Sequence, residues 1–187
     1  MARDTRDLMV LGAMDLLATN GLTGTSFSDV LEVTGAPRGS IYHHFPQGKD
    51  QLIAAAIDLT GERYTAWTEQ FAGSSPERVI GGFLQIWRHT LVNSEMTAGC
   101  PVLAVTVSTD AEELIGRARA VFRASTEQLA RMLGQAGVPA EEASSFATIS
   151  VAAAEGAVVL ARAERSIHPF DTVATHLVEQ AARLPVS

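Results

Sequence analysis

One cysteine, Cys100, stands among 187 residues, so an internal disulfide and a cysteine-rich zinc site are both excluded. With no framework of oxidised thiols, the reading is a reduced, cytoplasmic protein. Prolines number 7 and glycines 15, too few for a collagen-like or linker-dominated chain. Charged residues make up only 19% against 47% hydrophobic, which is not the composition of a disordered chain. Long hydrophobic runs are missing: the most apolar stretch, Val151 to Ala161, holds Glu155 and is too short to span a bilayer. No secretory signal opens the chain, because Arg3-Asp4-Thr5-Arg6-Asp7 leads into an apolar stretch that Asp15 interrupts. Nucleophile and phosphate motifs are absent: there is no G-x-S-x-G, no H-E-x-x-H and no Walker loop. His43 and His44 are adjacent and diverge by about 100° on a helix, so they do not share a metal. No cofactor, no metal and no membrane partner are expected, and the chain does not read as an enzyme. Positive charge is scarce too, with a formal net charge of −7, which taken as a whole argues against nucleic acid.

What is present is helix. Alternating apolar runs and hairpin turns of the Asn-Gly kind between them are lacking, whereas Met9, Ala13, Leu16 and Leu17 follow one helical face. Asn20-Gly21 stops that helix. Ser26 with Asp29 forms a capping-box pattern ahead of Phe27, Val30 and Leu31. Gly35 closes the second helix, Pro37 opens a third that runs to about His44, and Pro46 ends it. A linking helix then begins at Gln47 to Lys49 and continues towards Phe71. Further helices start at Ser75-Pro76, at Cys100-Pro101, at a second capping pattern of Thr109 and Glu112, after Pro139, and at His168-Pro169. The expectation is an all-α fold of about nine helices. A segment of residues 1–46 holds three short helices, and a larger one spans 47–187. A chain of this length buries a sizeable core.

The charge is unevenly spread. From Val33 to Lys49 there is no Asp or Glu, yet Arg38, His43, His44 and Lys49 all fall there, a local sign of an anionic partner. The turn Thr34-Gly35-Ala36-Pro37 has the length and the glycine of a helix-turn-helix, in which the second helix enters the major groove with its N-terminal residues against base edges. That helix begins Arg38-Gly39-Ser40. Arginine donates two hydrogen bonds to guanine, serine bonds several base edges, and Gly39 permits close backbone approach. Ile41 and Phe45 are i, i+4 neighbours that face the core, which turns Tyr42 and His43 outward towards phosphates. Lys49 adds a cation at a helix N-terminus, and Thr25 and Ser26 serve a second phosphate at the start of the second helix. Spacing alone is equally satisfied by an ordinary helical hairpin.

The residues Ala18, Gly21, Thr25-Ser26, Val30, Gly35, the run Arg38-Gly39-Ser40-Ile41-Tyr42-His43-His44-Phe45, and Lys49-Asp50-Gln51-Leu52 resemble the DNA-binding domain of TetR-family transcriptional regulators across residues 9–59. Gly99-Cys100-Pro101, Glu155-Gly156-Ala157 and Leu160-Ala161-Arg162 resemble that family's LmrA/YxaF-like branch. The resemblance implies a homodimer, a double-stranded DNA operator with two half-sites, and a C-terminal domain for a small-molecule effector, with repression as the mode. The stretch ahead of the first helix is short, which argues against a minor-groove contact by Arg3 or Arg6. A helical small-molecule-binding protein or enzyme without DNA activity is the alternative, and the acid-free window speaks against it.

In the larger segment, a cavity would be lined by aromatic and apolar residues with a few polar groups; the candidates are Phe83, Trp87, Cys100, Leu103, Phe122, Phe146 and Ser150. Cys100 otherwise reads as a buried structural thiol, having no second cysteine and no cation near it in sequence. The run from Val151 to Leu160 is apolar almost all round, so it is buried on several sides. Alone it would suit a central helix or an interface. The resemblance points to an interface of this helix with the final helix in each subunit, through Glu155, Val158, Val159, Arg162, Val173 and Leu177. If buried, Glu155 needs a partner, and Arg162 lies on roughly the same face.

Overall fold

A computed structural model describes residues 4–186. Among the described residues there are nine α-helices and no strand: α1 (Thr5–Asn20), α2 (Phe27–Thr34), α3 (Arg38–His44), α4 (Lys49–Thr68), α5 (Pro76–Asn93), α6 (Pro101–Thr106), α7 (Glu112–Gln135), α8 (Ala140–Glu164) and α9 (His168–Ala181), with a short 3-10 turn at Glu69–Phe71.

Local chemistry sets most boundaries. Ser26 and Asp29 form the reciprocal box: the Ser26 hydroxyl accepts from the Asp29 amide, and the Asp29 carboxylate accepts from the Ser26 amide at 2.8 Å. Gly35 ends α2 in the left-handed conformation, φ 66°, with its amide donating to Leu31, a geometry that costs any other residue a steric clash. Gly48 does the same between α3 and α4 at φ 94°.

Three expectations need correction. The linking helix stops at Thr68, whose hydroxyl bonds back to the Tyr64 carbonyl at 2.9 Å, and the last turn to Phe71 tightens to 3-10. Thr109 does not cap α7: the helix starts at Glu112, and the Thr109 hydroxyl accepts from the Ala111 amide two residues on. The third concerns α8. It is 25 residues long with a window of mean hydropathy 1.5, so the apolar run from Val151 to Ala161 lies within a longer helix that has the length and composition of a membrane span, a test that the core helix of a soluble protein also passes.

The helices form two compact units. The first comprises the chain to Glu62 together with Cys100–Val121, and the second Arg63–Gly99 with Phe122 onwards. The first unit therefore extends beyond the segment that ends near Pro46. It takes in most of α4, all of α6 and the start of α7. Its core is Met9, Leu17, Val30, Ile41, Phe45, Leu52, Ile53 and Ile57, all essentially solvent-free, and each contributes about 1.5–3 kcal/mol by burial. α1 and α2 approach closely at Gly12, where a Cβ would stand 2.6 Å from Thr34 Cγ2. α6 packs on α1, and Arg117 of α7 pairs with Asp58 of α4 and Glu113.

In the second unit α5, α8 and α9 pack on one another. Arg88 grips Asp171 with two hydrogen bonds, at 2.9 and 3.2 Å, which fixes α5 against the start of α9. Phe71 lies directly on the backbone of Gly82, where an added Cβ would come within 2.4 Å of its ring, and the Trp67 indole donates to the Gly82 carbonyl at 2.9 Å.

Candidate nucleic-acid interface

α3 has only seven residues, too few to be stable by itself, so its orientation comes from its anchors. Ile41 and Phe45 are fully buried on one side. The rings of Phe27 and Tyr42 meet edge to face, centroids 5.6 Å apart and planes at 82°, which joins the first turn of α2 to the middle of α3. The guanidinium of Arg6, in the first turn of α1, sits 5.6 Å from the Phe45 ring centroid. It is committed to that ring rather than to an arm; Arg3 lies outside the described residues.

These anchors leave Arg38, Gly39, Tyr42 and His43 exposed, Tyr42 by 69%. Ser40 is partly exposed, and its hydroxyl donates to the Pro37 carbonyl at 2.6 Å while keeping its acceptor capacity. Nothing lies within 4 Å of the position a Cβ would take on Gly39; its small size matters only to something that arrives from outside. The Ser26 hydroxyl accepts from the Asp29 amide at 3.2 Å. The Asp29 carboxyl is held below its usual range by the Ser26 hydroxyl first, then by the Ser26 amide, with the Lys49 charge adding to both.

Two expected phosphate ligands turn out to have structural tasks. Thr25 is 1% exposed, and its hydroxyl donates to the Gly21 carbonyl at 2.8 Å; it closes the α1–α2 turn from within and is no surface group. The Lys49 ammonium donates to the Leu22 carbonyl at 2.8 Å, which ties the start of α4 to that same turn. It is partly exposed and retains two further N–H donors. Phe27 was read from the sequence only as part of the apolar face of the second helix, and the Leu22 carbonyl was not singled out at all. No spacing rule connects Leu22 with Lys49 across 27 residues.

The residues expected to line an effector pocket divide between the two units. Phe83 and Trp87 lie one turn apart on the buried face of α5, Phe122 is half-buried on α7, and Ser150 is fully buried on α8. Phe146 is half-buried in an open groove that it shares with Glu141, Glu142, Ser145, Ile149 and Leu184. Cys100 and Leu103 belong to the first unit. There the buried Cys100 is the N-cap of α6, its sulfur accepting from the Leu103 amide at 3.3 Å. Tyr64, which the sequence reading passed over, packs against Phe83 at 5.9 Å and is buried with its hydroxyl unbonded.

The candidates for self-association separate likewise. Val158 is 1% exposed and Leu177 is buried, so both serve the interior of their own chain. Val159 is half exposed, as are Ile149 and Leu160; Val173, Glu155 and Arg162 are intermediate. The Arg162 guanidinium lies over Gly99, and Glu155 and Arg162 are both engaged in interactions. Ile149, Ala152, Gly156, Leu160 and Ala163 are all exposed and recur on one helical face.

Comparison with known proteins gives a consistent answer for both parts of the chain. Residues 10–56 match the family model for bacterial regulatory proteins of the tetR family, and residues 76–176 match the model for the LmrA/YxaF-like transcriptional regulator C-terminal domain. An HTH-type transcriptional regulator of Mycobacterium tuberculosis (strain ATCC 25618 / H37Rv) is 35% identical over 175 residues, covering 90% of this chain and 89% of its own. The HTH-type transcriptional regulator LmrA of Bacillus subtilis (strain 168) is 28% identical, over 89% of this chain and 91% of its own. Among solved structures, a TetR transcriptional regulator from Chloroflexus aurantiacus J-10-FL superimposes with a TM-score of 0.79 at 28% identity, covering 98% of this chain and 97% of the other. One from Legionella pneumophila reaches a TM-score of 0.86 at 23% identity, over 99% and 100%, and speaks to the fold.

Proposed function

Because the chain belongs to the TetR family, in its LmrA/YxaF-like branch, and is a DNA-binding transcriptional regulator rather than an enzyme, we propose that it is a cytoplasmic homodimeric repressor released from a palindromic operator by a small-molecule effector. Residues 1–46 form the DNA-binding segment, and residues 47–187 bind the effector and the second subunit.

Each subunit lays α3 in the major groove of one half-site. Arg38 and Ser40 meet base edges, and Gly39 lets the backbone come close. Tyr42, His43, Ser26 and Lys49 meet phosphates, which supplies most of the affinity and makes it depend on salt. Thr25 acts from behind by holding the turn that carries Ser26. The observation that carries this reading is the sidedness of α3: Ile41 and Phe45 are buried while Arg38, Gly39, Tyr42 and His43 stand in solvent.

The second subunit covers the exposed face of α8. Ile149, Val159 and Leu160 present apolar surface there, and Gly156 has open space where its Cβ would be, which permits close approach of another helix. Val173 on α9 borders that face in the expected four-helix arrangement. Half-exposed Val and Leu on a helix apolar enough for a bilayer fit burial against a copy of the same helix.

The effector binds in the helical body at Phe83, Trp87, Phe122, Phe146 and Ser150. For it to release DNA it must favour the arrangement that does not fit the operator; a hundredfold preference corresponds to about 2.7 kcal/mol. Selection of bound sequences from random duplex DNA tests the DNA reading: a two-fold symmetric motif is expected, and recovery of no enriched sequence contradicts it. Competition of the selected complex with candidate small molecules then tests release.

A further inference from the structure

The Ser40 hydroxyl has its proton already committed. It donates to the Pro37 carbonyl at 2.6 Å, and the Ser40 amide donates to the same oxygen at 3.0 Å. Pro37 is the N-cap of α3, at φ −63° and ψ 135°. Its ring locks φ, so the acceptor that holds the Ser40 proton is in place before anything docks. A serine hydroxyl has one proton and two lone pairs. Ser40 is partly exposed, and among the described residues no group donates to its Oγ. What it presents to solvent is acceptor capacity.

The residues just before it offer the opposite or nothing. Arg38 is exposed and carries donors only. Gly39 has no side chain, and the place of its missing Cβ is open. α3 reads Arg38-Gly39-Ser40-Ile41-Tyr42-His43-His44 and holds no Asp, Asn, Glu or Gln. Ser40 is thus the one side-chain acceptor in the first turn of that helix, the turn whose residues face base edges in a helix-turn-helix.

In the major groove adenine N6 and cytosine N4 are donors, whereas purine N7, guanine O6 and thymine O4 are acceptors. A base amino group adds a bond to Ser40 Oγ and leaves the bond to Pro37 intact. The retained bond polarises the hydroxyl and makes its oxygen a better acceptor. A base carbonyl has to draw the proton away from the Pro37 oxygen, so one bond is made and one is lost.

Resting on the reading that α3 enters the major groove, we propose that Ser40 discriminates by accepting: it reads an exocyclic amino group, N6 of adenine or N4 of cytosine, while Arg38 reads the acceptors of guanine. Serine in general serves either kind of base edge. Here Pro37 fixes the polarity by holding the proton, so each half-site offers Ser40 a donor and Arg38 an acceptor.

Selection of bound sequences with full-length wild type, Ser40→Ala and Ser40→Thr locates the base pair whose preference Ser40 sets; circular dichroism checks that the variants stay helical. Every base pair shows both an amino group and a carbonyl in the major groove, so sequence preference alone does not give the polarity. Operator duplexes with one group deleted at that pair do. Purine for adenine, or 2-pyrimidinone for cytosine, removes the amino group. 5-Methyl-2-pyrimidinone for thymine, or 2-aminopurine for guanine, removes the carbonyl oxygen, and 7-deazapurines remove N7. Fluorescence anisotropy gives the affinity of each duplex. Loss of the amino group is expected to weaken wild type and Ser40→Thr about fivefold more than it weakens Ser40→Ala, the worth of one hydrogen bond. Comparison across the protein variants cancels the weaker pairing of the analogue itself. Loss of the carbonyl oxygen or of N7 is expected to affect wild type and Ser40→Ala equally. If one of those deletions is instead the one coupled to Ser40, the hydroxyl donates and the proposal is overturned, while α3 remains the reading helix. If Ser40→Ala relaxes no base pair where Arg38→Ala does, Ser40 reads no base and the proposal falls by itself. If wild type enriches no sequence, the DNA reading falls and takes the proposal with it.

Discussion

The edge of one aromatic ring meets the face of another between Phe27 and Tyr42, centroids 5.6 Å apart. Phe27 is the first residue of α2 and Tyr42 lies in the middle of α3, so this contact joins the supporting helix to the helix proposed to enter the groove. Tyr42 is nonetheless 69% exposed, with its hydroxyl free to reach a phosphate. Phe27→Ala is expected to weaken operator binding about tenfold through misorientation of α3, an aromatic pair being worth about 0.5–1.5 kcal/mol. Tyr42→Phe keeps the ring and loses only the hydroxyl, so it should cost less. Fluorescence anisotropy on the selected operator measures both; equal losses would show that the hydroxyl, not the ring contact, carries the effect.

Lys49 has two tasks that salt separates. Its bond to the Leu22 carbonyl stabilises the first unit, and its charge is proposed to meet phosphate. Lys49→Met should lower the unfolding free energy by about 1 kcal/mol and flatten the slope of log affinity against log salt by about 0.9. A stability loss with an unchanged slope would confine Lys49 to the scaffold.

Gly12 lies mid-helix, where alanine is ordinarily favoured by about 1 kcal/mol. Here a Cβ would meet Thr34 Cγ2 at 2.6 Å, and Thr34 is held in place by its hydroxyl bond to the Val30 carbonyl at 2.6 Å. Gly12→Ala is therefore expected to destabilise the protein by about 1–3 kcal/mol, as overpacking does. Chemical denaturation decides; a stabilised variant would mean that α2 yields without cost.

Burial pushes the Tyr64 phenol well above its ordinary value. Its folded pKa is thus higher than the unfolded one, so the associated stability is fully present below about pH 10 and is lost as pH rises above it. Wild type should lose up to about 1.4 kcal/mol more per pH unit than Tyr64→Phe above pH 10. Parallel stability curves from pH 8 to 11 would contradict a buried, neutral phenol.

Adjacent residues on α8 should behave oppositely. Leu160→Asp places a charge on the exposed face and is expected to give folded monomers. Val158→Asp places one in the core of the chain and is expected to unfold the second unit. Light scattering with thermal melts distinguishes them, and an intact Leu160→Asp dimer would put the interface elsewhere.

Much of the fold was legible because its boundaries are chemical. Ser26 with Asp29, Gly35, Pro76 and Pro101 each terminate or start a helix where their side chains or ring require it. The sidedness of α3 was legible because Ile41 and Phe45 share a face. Where periodicity carries no phase, reading failed: α8 is apolar almost all round, so nothing in sequence distinguishes the inward Val158 from the outward Val159. Long-range polar pairing was hidden as well. Thr25 reads as a phosphate ligand until its bond to the Gly21 carbonyl is in place, and nothing in the sequence shows that Lys49 also holds the Leu22 carbonyl. Nor does local pattern show that α6 joins α1 across some 80 residues of chain.

The central claim is that two copies of α3 read the major groove side by side. Methylation interference at guanine N7 on the selected operator tests it most directly, with wild type and Arg38→Ala compared. Two symmetric patches of interference on one face of the duplex, one helical turn or a multiple apart, are expected, with the guanine signal lost in the variant at a cost of about 1–3 kcal/mol. A single patch, or a pattern that Arg38→Ala leaves untouched, would contradict it.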